Sequence, residues 1–193
     1  HVSKKPSNAA IFLVSFLTYL IGIFPSMVFA LPTGGTVQAG SATINQPSSQ
    51  QMTIQQTTKK AIIDWQEFGI ESDEQVDFQL FQGGVTLNRV TGNDVSNIFG
   101  KLTSNGDLWL INPNGILFGA NSQVDVHGLL ATTGDISNAD FLSSNYNFGI
   151  PSSLSSTVVN QGSITAAEGG LVALVAPGVQ NMGIITARLG KVS

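Results

Sequence analysis

Short runs of alternating apolar and polar residues fill the chain from residue 31 onwards. Runs such as "QMTIQQT", "VTLNRV" and "SQVDVHG" place apolar side chains at every second position, which is the period of a β-strand. Gly, Ser, Asn and Asp separate the runs, as turns require. No convincing amphipathic helix follows residue 30, and only "VSNIFGKL" (95–102) is interpreted as a helical turn. The pattern therefore predicts an all-β protein, in which the Ser- and Asn-rich stretch 143–157 forms an interrupting loop.

An internal repeat lies near the end of the chain. The segment "NQGSITA" (160–166) matches "NMGIITA" (181–187). A period of about 20 residues is typical of solenoids, and short strands joined by turns suit a parallel β-helix, whose rungs stack on one another. We expect Ile164 to stack on Ile185 in the interior, and Asn160 on Asn181 as an amide ladder.

The two ends of a β-helix expose sheet edges that attract other strands, so the N-terminal edge needs a cap. The less regular residues 31–105 are expected to form this cap and the first rungs, and residues 106–193 to form further rungs. The final "LGKVS" is interpreted as part of a rung, so the solenoid is expected to continue beyond residue 193.

Residues 1–30 follow the pattern of a secretory signal. Lys4 and Lys5 give a positive start, residues 11–24 are apolar and uncharged, and "VFA" is a small-residue cleavage site ending at Ala30. The apolar core of about 14 residues is shorter than the ~20 that a membrane-spanning helix needs. We therefore predict a signal peptide that is cleaved after Ala30.

Composition and charge exclude several functional classes. Charged residues make up 10% of the chain and its net charge is -4. Removing residues 1–30 leaves 6 basic and 12 acidic residues, so no basic surface for nucleic acid or an anionic membrane is expected. Cysteine is absent, which excludes disulfides, a thiol nucleophile and a cysteine-ligated metal.

Few acidic or imidazole groups are arranged for catalysis or metal binding. Asp125 and His127 share one face of a strand, but the sequence offers no third ligand for a metal. Asp135 and Asp140 lack the spacing of a calcium loop. The acids of residues 64–77 are interpreted as a solvated surface of the cap; they include Asp64, Glu67, Asp73 and Asp77. No catalytic residue, metal site or cofactor is therefore predicted.

Three larger side chains are assigned structural roles rather than binding roles. Arg89 is expected to form a salt bridge with an acid of the cap. Trp65 and Trp109 lie within apolar runs, so they are expected to pack rather than to serve as platforms for sugars.

The stretch "LWLINPNGILFG" (108–119) places a turn between two apolar runs. Asn112 can form a hydrogen bond within its own turn, Pro113 fixes φ at about -65° and Asn114 tolerates a tight corner. Gly115 supplies a backbone conformation that other residues avoid, and Ile116 returns the chain to the core. The segment predicts a rung corner and contains no nucleophile or acid.

The chain resembles the N-terminal two-partner-secretion domain of filamentous-haemagglutinin-type exoproteins, also called the haemagglutination activity domain. The resemblance covers residues 31–193, and its motifs occur in order. They are "LPTGGTVQAGSATI", "KKAIIDWQEFGI", the stretch from "QVDFQLF" to "NPNGILFG", "VDVHGLLATTGDISNADFL" and the final segment from "NQGSITA" to "LGKVS". Some members carry a second Asn-Pro-Asn; this chain has one, so nothing is carried over for the other.

The resemblance implies a right-handed, single-stranded parallel β-helix with an N-terminal β cap and small extra-helical β elements. It also implies a role in secretion. The domain enters the periplasm through the Sec machinery, loses its signal to signal peptidase, and is recognised while unfolded by the periplasmic domains of an outer-membrane β-barrel transporter. The motif that the family needs for secretion or folding is matched by Asn112, Pro113, Asn114, Gly115 and Ile116.

The expected destination is the medium or the cell surface, where the β-helix folds progressively. Parts beyond this segment are expected to contact host or neighbouring-cell surfaces, as in an adhesin.

One alternative is a free-standing adhesin or carbohydrate-binding β-helix, which needs a closed C-terminal end. Another is a polysaccharide-degrading enzyme, which needs carboxylates clustered on one rung face.

Overall fold

The computed structural model describes residues 31–149, 155–188 and 191–193. Its regular elements, in chain order, are β1 (Thr36–Ala39), β2 (Ala42–Ser48), β3 (Gln51–Gln56), β4 (Lys60–Trp65), β5 (Gln75–Gln79), β6 (Val85–Val90), β7 (Ser96–Ile98), β8 (Lys101–Ile111), β9 (Ile116–Phe118), β10 (Gln123–Thr132), α1 (Asn138–Ser143), β11 (Thr157–Asn160), β12 (Ser163–Ala166), β13 (Leu171–Val175), β14 (Gly178–Asn181), β15 (Ile184–Ala187) and β16 (Lys191–Val192). The predicted signal peptide, residues 1–30, lies outside the described residues. Within them, no helix combines the length and apolarity needed to cross a membrane.

The strands form a parallel β-solenoid of about six turns, which confirms the predicted fold class. Face A is formed by β3, β5, the first half of β8, the first half of β10, β12 and β15. Face B is formed by β4, β6, the second halves of β8 and β10, β13 and β16. Face C is formed by β7, β9, β11 and β14.

Each turn of the solenoid is a rung that crosses these faces in order. Rung 1 contains β3 and β4, rung 2 β5 to β7, rung 3 β8 and β9, rung 4 β10 and β11, rung 5 β12 to β14, and rung 6 β15 and β16. Chain-neighbouring rungs are therefore also neighbours in space. This arrangement makes most contacts of a rung local to the rungs on either side.

Two antiparallel strands lie at the N-terminal end. The strand β1 pairs with β4, and β2 pairs with β3, so both cover the first rung. The edge strand β2 contains Pro47, which has no backbone N–H to offer another chain. The division between a cap with first rungs (31–105) and later rungs (106–193) stays a prediction. The strand β8 runs continuously across the proposed boundary.

Side chains at matching positions stack in columns inside the solenoid. Ile164 pairs with Ile185 in parallel register, which confirms the predicted column. Asn160 pairs with Asn181, and its Nδ2 donates to Asn181 Oδ1 at 2.8 Å. The predicted amide ladder is therefore confirmed, and the Asn160 carbonyl oxygen Oδ1 also accepts from the N–H of Gly162 at 3.1 Å.

The predicted helical turn at 95–102 is wrong. Ser96 and Ile98 are buried on either side of exposed Asn97, so this segment has the period of a strand and pairs with β9. Gly100, in the corner that follows β7, passes very close to the preceding turn, where an added Cβ would clash with the carbonyl oxygen of Glu71. A helix would not fit this tight return to face A.

Among the described residues, one helix interrupts the solenoid where none was predicted. The helix α1 lies between β10 and β11, and Ser137 caps it by accepting a hydrogen bond from the N–H of Asp140. The predicted loop at 143–157 begins where α1 ends. Its residues 144–149 have no regular structure, and residues 150–154 lie outside the described part.

Candidate functional site

The motif Asn112–Ile116 forms the corner between faces B and C in rung 3. The strand β8 ends at Ile111 and β9 begins at Ile116. The N–H of Gly115 donates to the carbonyl oxygen of Asn112 at 3.1 Å, which closes a four-residue turn. Among the described residues only Ser144 is a non-glycine with positive φ, so Asn114 keeps the negative φ of a type I turn.

Asn112 is a buried amide whose hydrogen-bonding groups are all used. Its Nδ2 donates to the carbonyl oxygen of Asp94 and to Ser96 Oγ, both at 2.9 Å. Its Oδ1 accepts from the N–H of Asn114 at 2.9 Å. The side chain is fully buried, so loss of these partners would leave costly unpaired groups in the interior. Asn112 therefore fixes the corner to the preceding rung.

Hydrogen bonds join the exposed tip of the corner to both neighbouring rungs. Pro113 and Asn114 are exposed. Asn114 Nδ2 donates to the carbonyl oxygen of Gly92 in the rung-2 corner at 2.9 Å, and Ser156 Oγ donates to the carbonyl oxygen of Pro113. The N–H of Asn112 donates to the carbonyl oxygen of Thr132, at the end of β10, at 3.0 Å. The corner thus links three successive rungs.

Gly115 and Ile116 return the chain to the core. Gly115 has φ +119°, and an added Cβ would lie 3.1 Å from the carbonyl oxygen of Thr157. Its own carbonyl oxygen accepts from the N–H of Ser96 at 3.1 Å. Ile116 is 1% exposed and pairs with Ser96 and Val158. The corner has no titratable group, so its geometry supports a structural role rather than bond-making chemistry.

The acids of the first rungs are mostly held by polar neighbours. Asp64 binds Arg89 at 3.2 Å, which confirms the predicted salt bridge. Asp73 accepts from Gln50 Nε2 at 2.6 Å, and Asp77 from Thr103 Oγ1 at 2.6 Å. Burial raises the pKa of Glu74 above its ordinary value; nearby Asp73 and Glu71 also raise it, while a hydrogen bond from the Glu71 backbone opposes them.

The other titratable candidates are not brought together into one site. His127 Nδ1 lies 2.7 Å from Asp107 Oδ1 rather than against Asp125. Asp135 binds Arg89 Nε at 2.9 Å. Asp140 lies at the start of α1, where hydrogen bonds from Ser137 and then from Asn145 lower its pKa. In the described ranges, no group of three or more His, Cys, Asp or Glu side chains is placed to hold a metal.

Both tryptophans pack, as predicted. Trp65 is 1% exposed, and its Nε1 donates to Asn88 Oδ1 at 3.0 Å in the core. Trp109 points outward from face B and meets Phe141 edge-on, with ring centroids 5.2 Å apart. The asparagine at position 88 was not singled out in the sequence, because the alternation of Val85 and Leu87 predicts that Asn88 faces outward; its side chain is instead fully buried.

Comparison with known proteins decides the family. Residues 29–192 match the family described as the TPS (two-partner-secretion) secretion domain, which is most of the chain. The chain belongs to the TPS secretion domain family. Domains of this family are non-catalytic targeting domains of large exoproteins, which are exported across the outer membrane. Membership also implies an outer-membrane transporter as partner.

A solved structure and two relatives support the assignment. The TPS domain is similar to the crystal structure of the HMW1 secretion domain from Haemophilus influenzae, with a TM-score of 0.74, 35% identity, and coverage of 81% of this chain and 42% of that one. It is 42% identical over 110 residues to a heme/hemopexin-binding protein of H. influenzae, covering 56% of this chain. The same named protein from the Rd strain is 42% identical over 107 residues, or 55% of this chain. The chain spans 12% of the length of these relatives.

Proposed function

We propose that the transporter recognises this TPS domain while it is unfolded, and that the domain then nucleates β-helix folding outside the cell. The observation that carries the proposal is the stacking of consecutive rungs in chain order. Because each rung packs mainly on its predecessor, an emerging chain can gain stability rung by rung without ATP. Folding outside the cell would in this way oppose backward movement of the chain.

Burial supports recognition of the unfolded rather than the folded chain. The runs "AIIDWQEF" (61–68) and "LWLINPNGILF" (108–118) offer strand-forming segments to the edge of a partner's sheet. In the folded domain their apolar side chains are at most 2% exposed at Ile62, Ile63, Trp65, Phe68, Leu108, Leu110, Ile111, Ile116 and Phe118. A partner that binds these runs must therefore meet them before rungs 1 and 3 close.

We propose that secretion or folding of the domain requires Asn112, Pro113, Asn114, Gly115 and Ile116. Their support is the corner geometry, in which Asn112 and Asn114 bind the rung-2 corner and Ser156 binds Pro113. We assign the motif to folding of the emerging domain, because the side chains that it presents on the folded surface are only those of Pro113 and Asn114.

The route and the payload are parts of the same proposal. The chain enters the periplasm through Sec, signal peptidase removes residues 1–30, and the exoprotein reaches the medium or the cell surface. We propose that other parts of the protein bind host or neighbouring-cell surfaces, as an adhesin does. The similarity to proteins named heme/hemopexin-binding favours haem acquisition as a second candidate for the payload.

The proposal is tested by deleting the transporter and measuring the exoprotein in the medium. Loss of the protein from the medium, with a processed form retained in the periplasm, is the expected result. A second assay compares binding of peptides 61–68 and 108–118 to the transporter's periplasmic domains with that of scrambled peptides. Continued export without the transporter would refute the targeting role, and equal binding of scrambled peptides would refute the recognition step.

A further inference from the structure

Within rung 4, between β10 and β11, the chain turns back over the rungs that precede it. Residues 133–149, which we call the return segment, follow β10 and include α1. Their contacts lie on face B of earlier rungs: Trp109 in rung 3, Arg89 in rung 2 and Lys60 in rung 1. A purely stepwise solenoid has no such contact across several rungs.

The return segment buries apolar side chains that point away from the solenoid interior. Ile136 and Phe141 are fully buried against one outward residue from each of the first three rungs, namely Ile62, Leu87 and Ile111. The column that contains Ile62 and Leu87 continues through Trp109 to Leu130. Leu130, in rung 4, is only half-buried. The cover therefore spans rungs 1 to 3 and ends there.

Arg89 joins three parts of the chain on this face. Its Nε donates to both carboxylate oxygens of Asp135, at 2.9 and 3.0 Å, and its Nη2 donates to the carbonyl oxygen of Ile136 at 2.7 Å. Its Nη1 also reaches Asp64 on β4 at 3.2 Å. A guanidinium held in this way fixes the start of the return segment to rungs 1 and 2.

Lys60 binds the C-terminal end of α1. Its Nζ donates to the carbonyl oxygens of Phe141 and Leu142, at 2.6 and 3.1 Å, and to Ser144 Oγ at 2.7 Å. The last carbonyls of a helix lack partners within the helix, and a cation there is favourable. In this case the cation comes from β4, 81 residues before Phe141 in the chain.

We propose that the return segment is a folding clasp, which makes rungs 1 to 4 open and close as one unit. Because the segment follows β10, it can close only after β10 has emerged, and until then Ile62, Leu87 and Ile111 lack their outer cover. Rungs 5 and 6 lie outside the clasp, and the strand pairs described for them join adjacent rungs. The clasp deepens the folding half of the proposed function, but it does not depend on recognition by the transporter.

The test is amide hydrogen exchange of the whole purified chain with Lys60→Met. Methionine keeps the apolar stem of Lys60 and removes the three donors at the end of α1. We expect exchange to become about tenfold faster in α1 and, by a similar factor, in β4 and β6, given the usual strength of charged hydrogen bonds. The strand β13 in rung 5 should exchange as in the parent chain. Lys59→Met, the same change at the exposed neighbouring position, should leave all four elements unchanged.

A second variant addresses the other end of the clasp. Asp135→Asn keeps the size of the side chain and weakens its pairing with Arg89, so it should produce the same joint change in α1, β4 and β6. Faster exchange in α1 alone, or no change in any element, would show that the segment is only an appendage. That result would leave recognition by the transporter untouched, because recognition is measured separately by export and peptide binding.

Discussion

At the scale of single residues, the corner at 112–116 shows how one amide can order a turn. A turn at Asn-Pro-Asn-Gly follows from local preferences, because Asn, Pro and Gly each favour a different position of a type I turn. The hydrogen bond from Asn112 to Ser96 does not follow from the sequence. The two residues lie 16 positions apart, and no sequence repeat defines the length of a rung in that part of the chain. The turn was therefore predictable, whereas its anchor to rung 2 was not.

Replacement of Gly115 tests the corner directly. Gly115 has φ +119° and lies close to the carbonyl oxygen of Thr157, so Gly115→Val should destabilise the domain by roughly 1–3 kcal/mol from backbone strain, with additional crowding. We expect a lower midpoint in chemical denaturation and less exoprotein in the medium. Gly149→Val is the matched control, because Gly149 is exposed and its added Cβ has no neighbour closer than 3.7 Å. Normal stability and secretion of Gly115→Val would contradict the assigned role of the corner.

At the scale of elements, the repeat carries most of the predictive information. The offset between "NQGSITA" and "NMGIITA" fixes which residues stack, and both Ile164 over Ile185 and Asn160 over Asn181 were obtained from it. No sequence repeat indicates the register of β7, and the spacing of apolar residues in 95–102 was misinterpreted as that of a helical turn. The helix α1 was missed because it has six residues and buries only Phe141; its one local signal is the capping pair Ser137 and Asp140.

The start of α1 should depend on pH. Hydrogen bonds from Ser137 Oγ and Asn145 Nδ2, each at 2.7 Å, lower the pKa of Asp140 from its ordinary value of 3.8. A carboxyl group whose pKa is lower in the folded state stabilises that state above the unfolded pKa, and this contribution is lost as pH falls through the folded pKa.

Hydrogen exchange or NMR of the α1 amides between pH 6 and about 3 would measure this dependence. We expect protection to fall at the acidic end of the range in the parent chain. Asp140→Asn should remove that component of the pH dependence, whereas Asp125→Asn, on an exposed strand position, should preserve it. An unchanged pH profile in Asp140→Asn would assign the dependence to another group.

At the scale of the whole molecule, neighbour contacts predict that equal substitutions have unequal costs along the solenoid. Ile164 and Ile185 occupy the same column in adjacent rungs. Ile164 is fully buried between rungs 4 and 6, while Ile185 is only partly buried. Ile164→Ala should therefore cost about 2–5 kcal/mol, the usual range for a buried cavity, and Ile185→Ala should cost clearly less in the same 193-residue chain.

Denaturant unfolding of both variants provides the measurement, and the pair controls itself because chemistry and register are identical. Equal losses of stability would contradict this expectation, since they would mean that Ile185 is packed as well as the enclosed Ile164. A smaller loss at Ile185 is the expected result, because its side chain is only partly buried. The proposed folding outside the cell relies on the same effect, since every rung that emerges covers the rung before it.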